Sequence, residues 1–318
     1  MTSLIKVEDL SPPRYGKRPV ERTMEEMLEA GVVVIDKPQG PTSHQVSAWT
    51  RDLLGAKKAA HGGTLDPRVT GVLAIALNDA VRAIDALHAG HKVYVGVMRL
   101  HQEVPEERVT KVMKEFVGDI YQMPPVRAAV KRQLRVRRIH ELNILDRLGR
   151  DYLFRVRCEA GTYIRTLCVD LGEALGVGAH LQDLRRTRTA SFAEADAVSL
   201  DDLRDAHLIW KDEGNQVEIR KLIRPVEDML RHLKRVVVKD TAVDAICHGA
   251  SLAAPGIMEI DDRIVEGSLV SILTRQGEAI ALGNAKMGSH QMLSAGSGLA
   301  LELERVLMKP GTYPKLWK

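Results

Sequence analysis

The sequence predicts an α+β catalytic unit followed by a small β-barrel, and three observations carry that expectation. Helical and strand-like segments mix over residues 31–234 without a regular βαβ rhythm. From about Arg235 the chain breaks into short apolar runs separated by turn residues, the pattern of closely spaced short strands. A length of 318 residues suits two domains better than one, and no long low-complexity linker divides them.

Taken in order, residues 1–30 read as an extended, Pro-containing arm ending in a short helix, Met24 to Glu29. Val32-Val33-Val34-Ile35-Asp36 is a buried-strand signal closed by Lys37-Pro38-Gln39-Gly40-Pro41. Thr42 or Ser43 then caps a helix whose apolar positions Val46, Trp49 and Leu53 follow helical spacing. Val72 to Leu77 reads as a strand and Asp79 to Ala89 as a helix. Lys92 to Met98 alternates with period two, which sets Tyr94 opposite the valine face. Glu106 to Phe116 is amphipathic through Val109, Val112, Met113 and Phe116, with Gly118 near its end. Tyr152 to Cys158 is another alternating strand, and Tyr163 to Leu175 a helix ending at Gly176. In the last third, His248-Gly249-Ala250, Ala254-Pro255-Gly256 and Glu266-Gly267-Ser268 mark turns between short strands.

Composition narrows the function classes. Apolar residues make up 45% of the chain, ample for buried cores, yet no uninterrupted run of about 18 of them could span a bilayer. The N-terminal stretch is polar and charged, without the apolar core of a secretory signal. Three cysteines at positions 158, 168 and 247 are an odd number with no CxxC spacing, which supports neither a disulfide framework nor a zinc site. A reducing cytoplasm, with no metal and no cofactor, is the expectation. Net charge is only +4, so overall electrostatics does not single out a nucleic-acid binder. The distribution says more: Lys131-Arg132-Gln133-Leu134-Arg135-Val136-Arg137-Arg138 carries five cations in eight residues, and Arg185-Arg186-Thr187-Arg188 three in four. A charge run by itself is usually a solvated face. Guanidinium forks also match phosphate oxygens bidentately and give affinity without sequence readout.

The most informative stretch is His61-Gly62-Gly63-Thr64-Leu65-Asp66-Pro67, followed by Val69-Thr70-Gly71-Val72-Leu73. Two glycines permit positive φ or close approach to a ligand, and Pro67 keeps Asp66 out of the helical region. The backbone therefore presents this carboxylate with little freedom. Turn statistics alone would make it an ordinary Asp-Pro turn between two core elements. Position by position, however, it resembles the catalytic motif of pseudouridine synthases of the TruB/dyskerin class. Further segments resemble that family in the same order. They are Asp36-Lys37-Pro38-Gln39-Gly40-Pro41-Thr42-Ser43, Lys92-Val93-Tyr94-Val95, Ala160-Gly161-Thr162-Tyr163-Ile164-Arg165 and Gly178-Ala179-His180-Leu181-Gln182-Asp183-Leu184-Arg185-Arg186-Thr187-Arg188. The unit from about Arg235 to Pro310 resembles a PUA RNA-binding domain. With the N-terminal arm and the ending Tyr313-Pro314-Lys315-Leu316-Trp317, the whole is most similar to the archaeal dyskerin-type subunit of box H/ACA particles.

That resemblance implies an N-terminal arm over 1–30, a catalytic domain over 31–234, a PUA domain over 235–310 and a tail over 311–318. Its catalytic sheet is expected to be mixed and largely antiparallel, with flanking helices. The implied reaction breaks the N1–C1′ bond of uridine, turns the base and rejoins it through C5, which needs no redox change, metal or energy source. Asp66 is the implied nucleophile, a carboxylate being able to form and later release a covalent adduct. Sequence leaves open whether it attacks C1′, first abstracts a ribose proton, or adds to the base. Arg165 is the implied partner that keeps Asp66 charged in a closed pocket. An Arg in the first turn of a helix opposes the helix dipole and so is best explained by a carboxylate opposite it.

Tyr94 is expected to stack on the flipped uracil; its phenol is a weak base at neutral pH. Tyr163 and Leu184 would wall the pocket. His61 either wedges into the helix left by the extruded nucleotide, contacts RNA, or is a satisfied turn histidine. Lys131, Arg132, Arg185 and Arg186 are expected on phosphates, with His248 and Gly249 in the PUA-like unit also on RNA. The implied partners are an H/ACA guide RNA, substrate rRNA or tRNA, and small H/ACA core proteins, with no membrane. A stand-alone tRNA pseudouridine-55 synthase shares these catalytic motifs. A particle scaffold with idle chemistry is the reading from another class, and Asp66, Tyr94 and Arg165 together weigh against it.

Overall fold

The computed structural model describes residues 2–9, 11–123 and 133–316. In chain order the elements that frame the site are β1 (Ser3–Ile5), α1 (Met24–Glu29), β2 (Gly31–Lys37), α2 (Ser43–Leu54), β3 (Ala59–His61), β4 (Thr70–Leu77), α3 (Ile84–Ala89) and β5 (Lys92–Leu100). They continue with α4 (Glu106–Glu115), β6 (Gly118–Gln122), β7 (Arg135–Leu148), β8 (Asp151–Cys158), α5 (Ile164–Ala174) and β9 (Ala179–Thr189). Among the described residues the strands form a ten-stranded and a seven-stranded sheet.

In the larger sheet β4 lies between β2 and β9, and β5 between β9 and β8. Its named pairings are antiparallel except β4 with β9, where Thr70 and Gly71 sit opposite Arg185 and Arg186. The sheet is thus mixed and largely antiparallel. Both β2 and β4 read as continuous apolar runs because both faces are covered: Val32 to Ile35 and Val72 to Leu77 are almost completely buried. One face meets Met24, Val46, Leu203 and Trp210, the other Ala83, Leu87 and Met229. A separate cluster under β5, β8 and α5 holds Leu65, Met98, Phe154, Ile164 and Leu184, with Tyr94 packed against it.

Local chemistry explains the boundaries. Thr42 is the N-cap of α2: its hydroxyl accepts the Gln45 N–H while the Gln45 side chain accepts the Thr42 N–H. Gly55 ends that helix in the left-handed region. The single helix expected from Asp79 to Ala89 is instead a 3-10 turn over Asn78–Ala83 followed by α3. Asn78, at φ 44°, accepts the N–H groups of Lys57 and Lys58 and forces a tight entry. The strand β7, at 14 residues the longest strand among the described residues, begins inside the cation cluster at Arg135.

The seven-stranded sheet is built from residues 234 onward, with one addition: the arm's β1 pairs antiparallel with Ile257–Asp261. The two sheets pack on each other, since Ala279, Leu282 and Leu307 share a cluster with Val226, Met229 and Leu230. Arg22 adds a paired fork to Glu227, which also accepts the Ala279 N–H. All three cysteines are buried and unbridged. No helix among the described residues is long and apolar enough to cross a membrane.

Candidate active site

The Asp66 turn links β3 to β4 and is tied down from below by the segment that follows β2. Lys37, completely buried, donates through Nζ to the carbonyls of Pro38 (2.9 Å), Pro67 (3.3 Å) and Val69 (2.9 Å). Burial lowers its pKa, and the Asp66 carboxylate partly offsets that by favouring the ammonium. Ser43, at the start of α2, accepts the Leu65 N–H (2.8 Å) and donates to the Leu65 carbonyl (3.0 Å). The Gly40 N–H adds a bond to Pro67 O (2.8 Å). Two glycines are required by position. Gly63 sits at φ 118°, and a Cβ on Gly71 would stand 2.2 Å from the Arg186 carbonyl, so only glycine lets β4 lie against β9.

So fixed, Asp66 points outward and pairs directly with Arg165, 99 residues further along, in the first turn of α5. Their side chains remain about half exposed, 52% and 55%. Tyr163 is the N-cap of that helix, and its backbone is gripped at both polar atoms by Gln122, which is 2% exposed: the N–H donates to Oε1 (2.9 Å) and the carbonyl accepts from Nε2 (3.1 Å). Tyr94 lies on β5 opposite Arg186 of β9. Burial pushes its phenol above the ordinary value, and the Asp66 charge acts in the same direction. Leu184 is buried beside it, above Gly96, where any Cβ would approach Leu184 Cδ1 to 2.9 Å.

His61 stands at the end of β3, its ring edge-on to His44 with centroids 4.8 Å apart. Both its ring nitrogens are buried without a hydrogen-bond partner among the described residues, and burial lowers its pKa to about 4. The ring is therefore neutral near pH 7 and is not a satisfied turn histidine. Behind it opens a cavity of about 480 Å³ lined by His44, Ser47, Arg51, His61, Gly63 and His88.

The basic residues divide in a way the sequence did not disclose. Arg185 is partly exposed but already engaged, its fork meeting both Asp36 oxygens (3.0 and 2.9 Å) and its Nε meeting Glu194. Arg186, expected on phosphates, is 1% exposed and cannot reach an RNA backbone. It donates instead to the carbonyls of Val72 (2.8 Å) and Gly63 (3.1 Å). The period of two along a strand turns neighbouring arginines to opposite faces, and here one face is core. Lys131, Arg132 and Trp317 lie outside the described residues. His248 and Gly249 follow the helix Asp240–Cys247 of the second unit, with His248 exposed and Gly249 at φ 95°.

Of the residues expected at the site, the structure pairs Asp66 with Arg165 and packs Tyr94 with Leu184, while His61 lies against His44 and Tyr163 is held by its backbone; Ser43 and Gln122 were not expected as supports. Ser43 was visible as part of the motif after β2. Gln122 carried no signal, because its partner is a backbone 41 residues away.

Comparison with known proteins agrees with this arrangement. Residues 51–164 match the N-terminal domain of TruB family pseudouridylate synthases, and 165–231 the C-terminal domain of tRNA pseudouridylate synthase B. Residues 234–307 match a PUA domain and 2–47 a DKCLD domain. A probable tRNA pseudouridine synthase B of Methanocaldococcus jannaschii is 54% identical over 304 residues, 96% of this chain and 90% of the relative. One of Methanopyrus kandleri is 54% identical over 99% of this chain and 93% of the relative. Among solved structures, a Cbf5-Nop10-Gar1 complex contains a chain 48% identical, with TM-score 0.94 over 99% of this chain and 96% of that one. A second, an H/ACA RNP bound to a substrate RNA containing 2′-deoxyuridine, matches at 46% identity and TM-score 0.92 over 99% and 97%.

The fold and its outward carboxylate–guanidinium pair define an RNA-modifying isomerase with an appended PUA domain. The chain belongs to the TruB family of pseudouridine synthases, enzymes that convert uridine in RNA to pseudouridine.

Proposed function

We propose that this pseudouridine synthase works as the catalytic subunit of a guide-RNA-directed H/ACA particle, with Asp66 as the nucleophile. The observation that carries the assignment of Asp66 is its direct pairing with Arg165 on an otherwise immobilised turn. A carboxylate attacks in its ionised form, and the Arg165 guanidinium in contact with it holds it in place by a charge-assisted hydrogen bond. Asp66 bonds to the substrate, N1–C1′ breaks and the base turns; C5 bonds to C1′ and the bond to Asp66 is released, the C5 proton is lost and N1 gains one, so atoms balance without a co-reactant. Tyr94 stacks on the turning uracil, Leu184 and Tyr163 wall it, and His61 fills the gap it leaves in its own helix. Unstacking costs a few kcal/mol, which favours a uridine already unpaired by a guide.

Similarity over nearly the whole chain to chains solved in a Cbf5-Nop10-Gar1 complex and in an H/ACA RNP bound to a substrate RNA supports the particle reading. On it, the arm spans residues 1–30, the catalytic domain 31–234, the RNA-binding domain 235–310 and the tail 311–318, with Arg185, His248 and Gly249 facing RNA in a cytoplasmic setting; Lys131 and Arg132, outside the described residues, would bind RNA as well. The names of the curated relatives favour a second reading, direct action on tRNA uridine-55 without a guide.

The deciding test is a uridine isomerisation assay with rRNA fragments, with and without an H/ACA guide and core proteins, beside free tRNA. Turnover of rRNA only when the guide is present is the expected result. Turnover of free tRNA alone would establish the second reading.

A further inference from the structure

The first turn of α5 carries Arg165, yet that helix starts without a cap of its own. Tyr163 is its N-cap and supplies no capping side chain. The turn before it passes through Gly161 at φ 77°, where only glycine moves freely. The Asp66–Arg165 pair does not set the start of the helix either, because both side chains are about half exposed and an ion pair in water is weak. Ile164 and Leu167 hold the helix against the apolar cluster beneath it. Such contacts have no direction, so they do not fix where the first turn begins.

Gln122 supplies what is missing. It ends β6, is 2% exposed, and meets Tyr163 across 41 residues with both halves of its amide. Its Oε1 accepts the Tyr163 N–H (2.9 Å), and its Nε2 donates to the Tyr163 carbonyl (3.1 Å), which also accepts the Leu167 N–H (3.0 Å). An amide offers an acceptor and a donor side by side, whereas a carboxylate offers acceptors alone. Leaving either backbone atom of Tyr163 unpaired costs more than losing an exposed ion pair, so the grip below outweighs the pair above. From residue 163 to residue 165 a helix rises only about 3 Å, too little chain to absorb an error at its start. Resting on the reading of Asp66 and Arg165 as the reacting carboxylate and its partner, we propose that Gln122 is a positioning residue of the isomerase. It sets the start of α5 and thereby the place of the Arg165 guanidinium against Asp66.

Single-turnover isomerisation, RNA affinity and melting temperature of the complete enzyme test this. Gln122→Met fills the same space and loses both bonds; Gln122→Glu keeps the acceptor and gains a donor once it is protonated. At neutral pH and saturating RNA each should slow the reaction by about 10- to 100-fold, the scale of a misplacement of about 1 Å. RNA affinity should stay within about twofold, because no phosphate contact is removed. Burial raises the pKa of a carboxyl, so the Gln122→Glu rate, divided by the wild-type rate at the same pH, should climb as pH falls from about 8 to about 5. Melting temperature that recovers over that range without the rate would overturn the inference, since a merely structural role moves only the former. A cycle then separates the two routes out of Tyr163. In an Arg165→Ala background Gln122→Met should cost less than about threefold, and in a Tyr163→Leu background, which removes the ring and keeps the backbone, its effect should be full. A full effect with Arg165→Ala, or none with Tyr163→Leu, would route the loss elsewhere and overturn the inference. Arg165→Lys replaces Arg165→Ala if the latter is too slow to time, its ammonium on a flexible stem tolerating a displaced helix start. Gln122→Glu replaces Gln122→Met if that does not fold. An Arg165→Ala enzyme as fast as wild type would sink the reading of the pair and this inference with it. Wild-type speed in Gln122→Met beside a slow Arg165→Ala would sink this inference alone.

Discussion

The rim and the floor of the site use the same kinds of ions for opposite purposes. At the rim, Asp66 and Arg165 pair in contact with solvent, each about half exposed. In the floor, Lys37 at 0% and Arg186 at 1% exposure have no carboxylate salt-bridge partner among the described residues and bind backbone carbonyls instead. An exposed pair contributes only about 0–1 kcal/mol to stability, so the rim pair is dispensable to the fold and is explained by chemistry. A buried donor that satisfies several carbonyls cannot be removed without stranding them. The difference separates groups that react from groups that aim the reacting ones.

The sharpest way to break this contrast is at Asp66. Asp66→Asn should reduce single-turnover isomerisation by about 10⁴-fold or more, the scale of removing a nucleophile. Its melting temperature should stay close to that of the wild type, and RNA binding by filter retention should survive. A variant that isomerises near the wild-type rate would end the nucleophile assignment.

Lys37→Met probes the floor. Three carbonyls lose their common donor, and the expected cost is about 2–4 kcal/mol by urea denaturation. Activity should fall because the turn loosens, in contrast to the stable but inert Asp66→Asn. Unchanged stability would mean that the turn is held by Ser43 and Gly40 alone.

The smallest effect concerns His61. Its folded pKa of about 4 lies below the ordinary 6.5. Between those values the unfolded chain binds a proton that the folded chain does not, so the contribution to stability is whole above about pH 6.5 and is lost as pH falls toward 4. His61→Gln should flatten that decline by on the order of 1–2 kcal/mol at pH 5, read from melting temperature against pH. An unchanged acid limb would mean that the ring already charges in the native state.

Legibility followed local chemistry. Strongly patterned segments such as Val72 to Leu77 and Glu106 to Phe116 fell close to the observed β4 and α4 because their periodicity records what they bury. The helix Leu200–Glu213 escaped notice although Ser199, Asp202 and Gly214 cap it, since attention to apolar runs passes over capping signals. The strand β7 was hidden by its cations: Arg135, Arg137 and Arg138 look like a solvated run, yet Arg135 and Arg137 share a strand face with buried Ile139 while Val136 and Arg138 take the exposed one.

By itself the sequence determined which groups the site owns and the order in which the chain delivers them, because turn residues, caps and motif spacing are local properties. Tertiary structure alone decided how those groups are used. It brought Arg165 to Asp66 across 99 residues, carried β1 from the arm into the second sheet, and sent Arg185 outward while burying Arg186. A strand fixes that neighbours point to opposite faces. Which of those faces becomes core depends on what the rest of the chain packs against it.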